Sequence, residues 1–191
     1  GLIGDLTERK KYQAVIEEAN KRMSEELNVA KDIQMSMLPL IFPAFPKRQE
    51  IDVYAELLPA REVGGDFYDF FFIDDDHFCM VVGDVSGKGV PGALMMAVCK
   101  TLIKSNSRNV RHTSKILTWV NNEMAKENHN SMFVTVFIGI LNTKTGEFTY
   151  TNAGHNPTFI KRADGSVDKL TELHGVVIAA MEGLKYKESK L

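Results

Sequence analysis

Residues 81–96 read VVGDVSGKGVPGALMM. An apolar run suited to a strand ends on Asp84, and Gly87, Gly89 and Gly92 follow. Pro91 then opens a helix-like run, where its fixed φ and missing N–H fit the first helical position. The order strand, tight turn, helix constrains the local fold more than any other stretch of the chain. The glycines have the spacing G-x-G-x-x-G, the outline of a dinucleotide-binding turn. That turn needs a βαβ unit and an acidic residue about 20 positions on to hold the ribose. Residues 85–122 contain no Asp or Glu, and SNSRNVRH (105–112) is too polar for the required strand. The dinucleotide reading therefore lacks its context.

The other reading starts from Asp84. A strand end presents its carboxylate at a sheet edge, and a glycine turn lets backbone groups approach a ligand. One carboxylate does not hold Mg²⁺ or Mn²⁺, which want several oxygens. Asp66 in REVGGDFYDF has a similar setting, with Gly64 and Gly65 before it and an apolar run after it. The two converge if their strands are neighbours. The residues alone also allow both to be turn formers chosen for local backbone hydrogen bonding.

Residues 8–38 lack Gly and Pro and read as one long helix. Ile16, Met23, Ala30 and Met37 recur every seven residues, with Tyr12, Ala19 and Ile33 as companions and Glu26 as a defect. Two readings stand level: a coiled-coil seam, or an amphipathic helix lying on its own domain. PLIFPAFPKR (39–48) is a proline-rich connector. IDVYAELL (51–58) alternates as a strand does, and FYDFFFI (67–73) and HFCMVVG (77–83) read as a hairpin around Asp74, Asp75 and Asp76, a solvated turn. A helix from Pro91 to about 105 buries Leu94, Met95, Ala97, Val98, Leu102 and Ile103; a second, Ser114 to about Lys126, is capped by Thr113 or Ser114 and buries Ile116, Leu117, Trp119, Val120 and Met124. Strands follow at 132–141, 147–152, 157–162 and 167–170. Strand groups around a helical pair predict an antiparallel α+β domain.

The chain has 191 residues, enough for one domain with an appendage, and a net charge of −2, which gives no basic excess for nucleic acid. No apolar stretch reaches the length of a bilayer span, and GLIGDLTERKK has no signal-peptide core. Cys79 and Cys99 lie inside apolar runs with no CxxC pairing. Buried free thiols and a cytoplasmic setting are expected.

Three motifs in order, VGGDFYD (63–69), GDVSGKGVPGAL (83–94) and TNAGHNP (151–157), resemble the metal-dependent, type 2C-like protein phosphatase superfamily. The closer resemblance is to its bacterial branch of stage II sporulation E and stress-response phosphatases, over about residues 27–191. The resemblance implies an α/β/β/α sandwich of antiparallel sheets flanked by helices, with two Mn²⁺ or Mg²⁺ ions between the sheets. It implies Asp66 and Asp84 as metal ligands, with Val85 giving a backbone carbonyl. It implies hydrolysis of phosphoserine or phosphothreonine on a protein by metal-activated water, with no enzyme nucleophile and a substrate of the anti-anti-sigma type. The segment GLIGDLTERKKYQ resembles the end of a PAS sensor domain entering its exit helix. The implied organisation is therefore a sensor tail at 1–7, a linker helix at 8–38 that can pair a homodimer, and a phosphatase domain at 39–191.

The family's two later aspartates, in YTDG[VI]TE and D-D-x-[ST] segments, have no counterpart. Asp164-Gly165 follows charged residues and reads as a hairpin turn. The expectation is a domain incomplete at its C-terminal side, weak in metal binding and activity as it stands. The alternative function is a catalytically silent module of the same fold that holds a signalling partner. His155 is open to two readings, a catalytic acid or phosphate contact, or a turn residue held by Asn152 and Asn156. Lys88 meets phosphate or nothing specific.

Overall fold

The computed structural model describes residues 2–59 and 62–191, with side chains from residue 8 onward. The long helix α1 spans Leu2–Ser36. It begins six residues before the expected boundary, so the backbone of 2–7, expected as a sensor-domain tail, is helical; the side chains there lie outside the described residues. Residues 8–26 are exposed throughout, and Gln34 and Leu38 are the first buried positions. The helix therefore does not lie along its own domain. It docks by its last turns.

Residues 51–58 are not a strand. Their burial alternates as the sequence suggests, with Ile51, Val53, Ala55 and Leu57 packed against the core, but they join no ladder. Alternation encodes a buried face; it does not supply a hydrogen-bonding neighbour.

The hairpin is formed by β1 (Phe67–Phe72) and β2 (His77–Val85). Its acidic turn is solvated and tied down. Burial pushes the Asp74 carboxyl up, but hydrogen bonds from the Asp76 and His77 backbones, the His77 ring and Arg111 together outweigh it and hold the carboxyl well below the usual carboxylate range. Two helices follow, α2 (Gly89–Ser107) and α3 (Thr113–Lys126). Four further strands come next, β3 (Val134–Asn142), β4 (Phe148–Ala153), β5 (Thr158–Lys161) and β6 (Val167–Leu170), and β7 (Ser189–Lys190) ends the described order. A five-stranded antiparallel sheet runs β1-β2-β3-β4-β7, and β5-β6 forms a separate hairpin around Asp164-Gly165.

Strand alternation gives the large sheet two faces. Val81, Val85, Val134, Val136, Ile138 and Ile140 pack in one core with Met96, Cys99, Ile103, Ile116, Leu117 and Val120 of the helices. On the opposite face, Phe137 and Tyr150 pack on Leu170 and Ile160 of the β5–β6 hairpin. The layers are thus helices, sheet and a second small sheet, an α+β arrangement as expected. Both cysteines are buried and free, and burial pushes the Cys99 thiol up to about 12.

Several expected core positions are corrected. Leu94 and Val98 of α2 are 64% and 51% exposed, while Met96, Cys99 and Lys100 take the buried stripe. Trp119 is 39% exposed. Helix α3 is not capped from within: the Glu188 carboxylate accepts hydrogen bonds from the Ser114 N–H at 3.0 Å and its hydroxyl at 2.8 Å. A residue 74 positions away does the work expected of Thr113 or Ser114.

Candidate metal centre

Asp66 lies just before β1, and Asp84 is the next-to-last residue of β2. The antiparallel register places Phe67 opposite Gly83, so the two aspartates sit at the same end of adjacent strands. Both carboxyl groups line one cleft and lie close enough to influence each other's charge. Burial, together with the Asp84 carboxylate beside it, holds the Asp66 carboxyl above its usual range. Two like charges this close do not both ionise comfortably without a proton or a cation between them.

Glycines permit the approach. A Cβ on Gly65 would stand 2.8 Å from Val85 Cβ and 3.0 Å from the Val85 carbonyl oxygen. A Cβ on Gly92 would stand 2.6 Å from the Gly87 carbonyl oxygen, so the G-x-G-x-x-G spacing serves to fold the start of α2 back onto the loop that follows Asp84. A cleft of about 460 Å³ is lined by Gly65, Asp66, Asp84, Val85, Lys88 and Gln34, among others. All three residues expected at the metal, Asp66, Asp84 and Val85, thus face one cleft. The Val85 carbonyl accepts the Gly87 N–H at 2.7 Å, which leaves one lone pair.

The donor set is hard oxygen and suits Mg²⁺ or Mn²⁺. It is also sparse: among the described residues no three His, Cys, Asp or Glu side chains group to hold an ion. A divalent ion held here would take its further oxygens from water, phosphate or groups beyond these.

Three residues at the site carried no clear signal in the sequence. Gln34 of α1 is 5% exposed, donates to the Gly64 carbonyl at 2.6 Å and accepts the Gly64 N–H at 3.1 Å. The end of the long helix is thereby clamped two residues before Asp66. Asp69, the second aspartate of GGDFYD, points to the helix side, where Lys100 Nζ donates to it at 2.7 Å. That pair is buried, and it ties α2 to β1. Thr135, opposite Asp84 in the β2–β3 ladder, meets His155 Nδ1 at 2.9 Å. The buried polar positions are legible only once the partner elements are placed.

His155 is held as a turn residue by Asn152, which accepts its N–H at 2.8 Å and donates to its carbonyl at 3.0 Å. Asn156, the other expected holder, is exposed. Lys88 lies on the rim of the Asp66–Asp84 cleft.

Comparison with known proteins identifies relatives of this arrangement. A family model described as Stage II sporulation protein E (SpoIIE) matches residues 74–191. Phosphoserine phosphatase RsbU of Bacillus subtilis (strain 168) is 29% identical over 168 residues, covering 88% of this chain and 49% of its own. The SiaA-PP2C domain of Pseudomonas aeruginosa superposes with a TM-score of 0.72 at 21% identity, covering 91% of this chain and 68% of that one. RsbX, solved in complex with magnesium, superposes with a TM-score of 0.57 at 20% identity, covering 69% and 62%. The chain spans 27%, 49% and 41% of the curated relatives it matches. Among the described residues no helix is long and apolar enough to cross a membrane.

Proposed function

The chain belongs to the stage II sporulation protein E (SpoIIE) family, and on that premise we propose that it is the PP2C-type serine phosphatase part of a signalling protein. The substrate is a phosphoserine or phosphothreonine protein, of the anti-anti-sigma type suggested by its RsbU likeness. Its linker helix connects it to an upstream sensor and pairs with a second copy, and its setting is the cytoplasm. The observation that carries the reading is the Asp66–Asp84 carboxyl pair, brought together by glycine turns in an open cleft.

The residues fit a divalent cation. Asp66, Asp84 and the Val85 carbonyl would hold it, and RsbX was solved with magnesium. When bound, such an ion supplies Lewis acidity toward a phosphoryl group. The chain's own residues do the rest. The carboxyl pair fixes the charge of the cleft floor, and the Gly64 clamp sets where Asp66 stands. No Ser–His–acid set is needed for attack by water.

The test is manganese-dependent release of phosphate from a phosphoserine protein. Asp84→Asn is expected to lower turnover by roughly a hundredfold or more, beyond the cost of losing an outer-shell contact. Unchanged manganese-dependent turnover would overturn the assignment. The silent-module reading is favoured by the sparse donor set alone. Absence of metal-dependent turnover together with tight partner binding would establish it instead.

A further inference from the structure

We propose that His155 is a substrate-binding residue whose Nε2–H donates a hydrogen bond to a phosphoryl oxygen beside Asp66, where the cleft that His155 lines meets the Asp66–Asp84 cleft. The proposal rests on the phosphatase reading above and deepens it. The turn does not explain the ring. Asn152 grips His155 only through its backbone N–H and carbonyl, a service any residue would accept. Asn152 is itself fully buried and fixed, donating its N–H to His174 Nδ1 at 3.0 Å and accepting the His174 N–H at 2.9 Å. The imidazole is therefore presented on a rigid base.

Its direction is set by Thr135. The Thr135 hydroxyl lies 2.9 Å from His155 Nδ1 and 3.4 Å from the Asp84 carbonyl. A hydroxyl has one proton. In the proposed tautomer it goes to Nδ1, the shorter of the two contacts, and Nε2 carries the ring hydrogen. Among the described residues Nε2 has no hydrogen-bond partner. The ring lines a cleft of about 310 Å³ whose wall also includes Asp66, Gly83 and Val82. Asp66 lines this cleft and the larger one beside Asp84 and Lys88, so the two meet at the Asp66 carboxyl. A phosphoryl group entering there meets two carboxylates that repel it. Besides a cation it needs neutral, preorganised donors, and the Nε2–H is one fixed before the ligand arrives.

The experiment uses the 191-residue chain with Mn²⁺ and inorganic phosphate as the probe, followed by calorimetric titration. His155→Asn keeps a polar atom near Nδ1 for Thr135 and removes Nε2. His155→Gln places an amide nitrogen near Nε2 and gives up the Nδ1 contact. Phosphate affinity is expected to fall roughly tenfold in the Asn variant and to recover in part in the Gln variant. Mn²⁺ affinity without phosphate is expected to stay within about twofold in both, since neither touches the proposed ligands. With a phosphoserine peptide the Asn variant raises KM more than it lowers kcat. A merely structural ring predicts the reverse order, Asn above Gln, and that order, or wild-type phosphate affinity in His155→Asn, overturns the inference alone. A wild-type chain that takes Mn²⁺ but no phosphate overturns the phosphatase reading and this inference together.

Discussion

At the scale of single residues, the site depends on side chains that are missing as much as on those present. Gly65 sits against Val85 with no room for a methyl group, and that contact brings the turn before Asp66 onto the turn after Asp84. Gly65→Ala must push the two apart by several tenths of an ångström, because the blocking atoms include backbone. Mn²⁺ affinity is expected to drop about tenfold, comparable to loss of an outer-shell support; wild-type affinity would show that the close approach does not seat the pair. His174 offers a second residue-level test. Burial holds its imidazole below the usual histidine value, with Glu172 and Glu188 opposing, and Nδ1 already accepts the Asn152 N–H. The unfolded chain takes this proton at about pH 6.5 while the folded chain still refuses it. The contribution is therefore complete above pH 6.5 and is lost as pH falls from there toward the folded value. The His155 ring, also held low by burial, adds a parallel loss. His174→Asn should flatten the fall of melting temperature between pH 7.5 and 5.5, and an equally steep fall in the variant would count against the assignment.

At the scale of elements, the sequence is most legible where one residue type decides the backbone. The hairpins, the strand ending on Asp84 and the two helices all appear close to their expected bounds. It misleads where a partner decides. Leu94 and Val98 have helical periodicity, yet Met96, Cys99 and Lys100 face the sheet. The buried stripe includes Lys100, which pairs with Asp69 on β1 across 31 positions, a partner that helical periodicity does not announce. Residues 51–58 have a strand's alternation without a strand's neighbour. The two aspartates could be paired from their glycine settings. Gln34 could not, since a glutamine on a helix ordinarily reads as solvated surface. Its role follows from docking: two hydrogen bonds join α1 to Gly64, and any rotation of α1 pulls on the chain two residues before Asp66. Gln34→Ala leaves both Gly64 groups without their partner and is expected to cost about 1–3 kcal/mol in urea unfolding. A loss below about 0.5 kcal/mol would mean that water replaces the clamp and that α1 is coupled to the site only loosely.

At the scale of the whole molecule, one feature is out of proportion to a single domain. Helix α1 has 35 residues, and its positions 8–26 touch nothing of their own chain closely enough to be covered. Tyr12, Ile16 and Met23 are each more than half exposed. That seam runs on into an apolar groove of about 220 Å³ between Ala30 and Ile33 of α1, Met37 just after it, and Val90, Ala93, Leu94 and Ala97 of α2. A long helix gains most of its stability from packing an apolar face, and this one has a face with no cover. A second copy supplies an identical seam, and heptad spacing lets the two register along their length. Pairing would also cover part of the α2 stripe that leaves Leu94 and Val98 in solvent. Because Gln34 lines both the groove and the Asp66–Asp84 cleft, a second copy seated in the groove would share a wall with the candidate metal centre. Sedimentation velocity over a concentration series is expected to show a monomer–dimer equilibrium. Met23→Glu with Ala30→Glu places unpaired charges in the seam and is expected to shift the chain to monomer without lowering its melting temperature as a monomer. A wild-type chain that stays monomeric at high concentration would show that this helix reaches into solvent without a partner of its own kind.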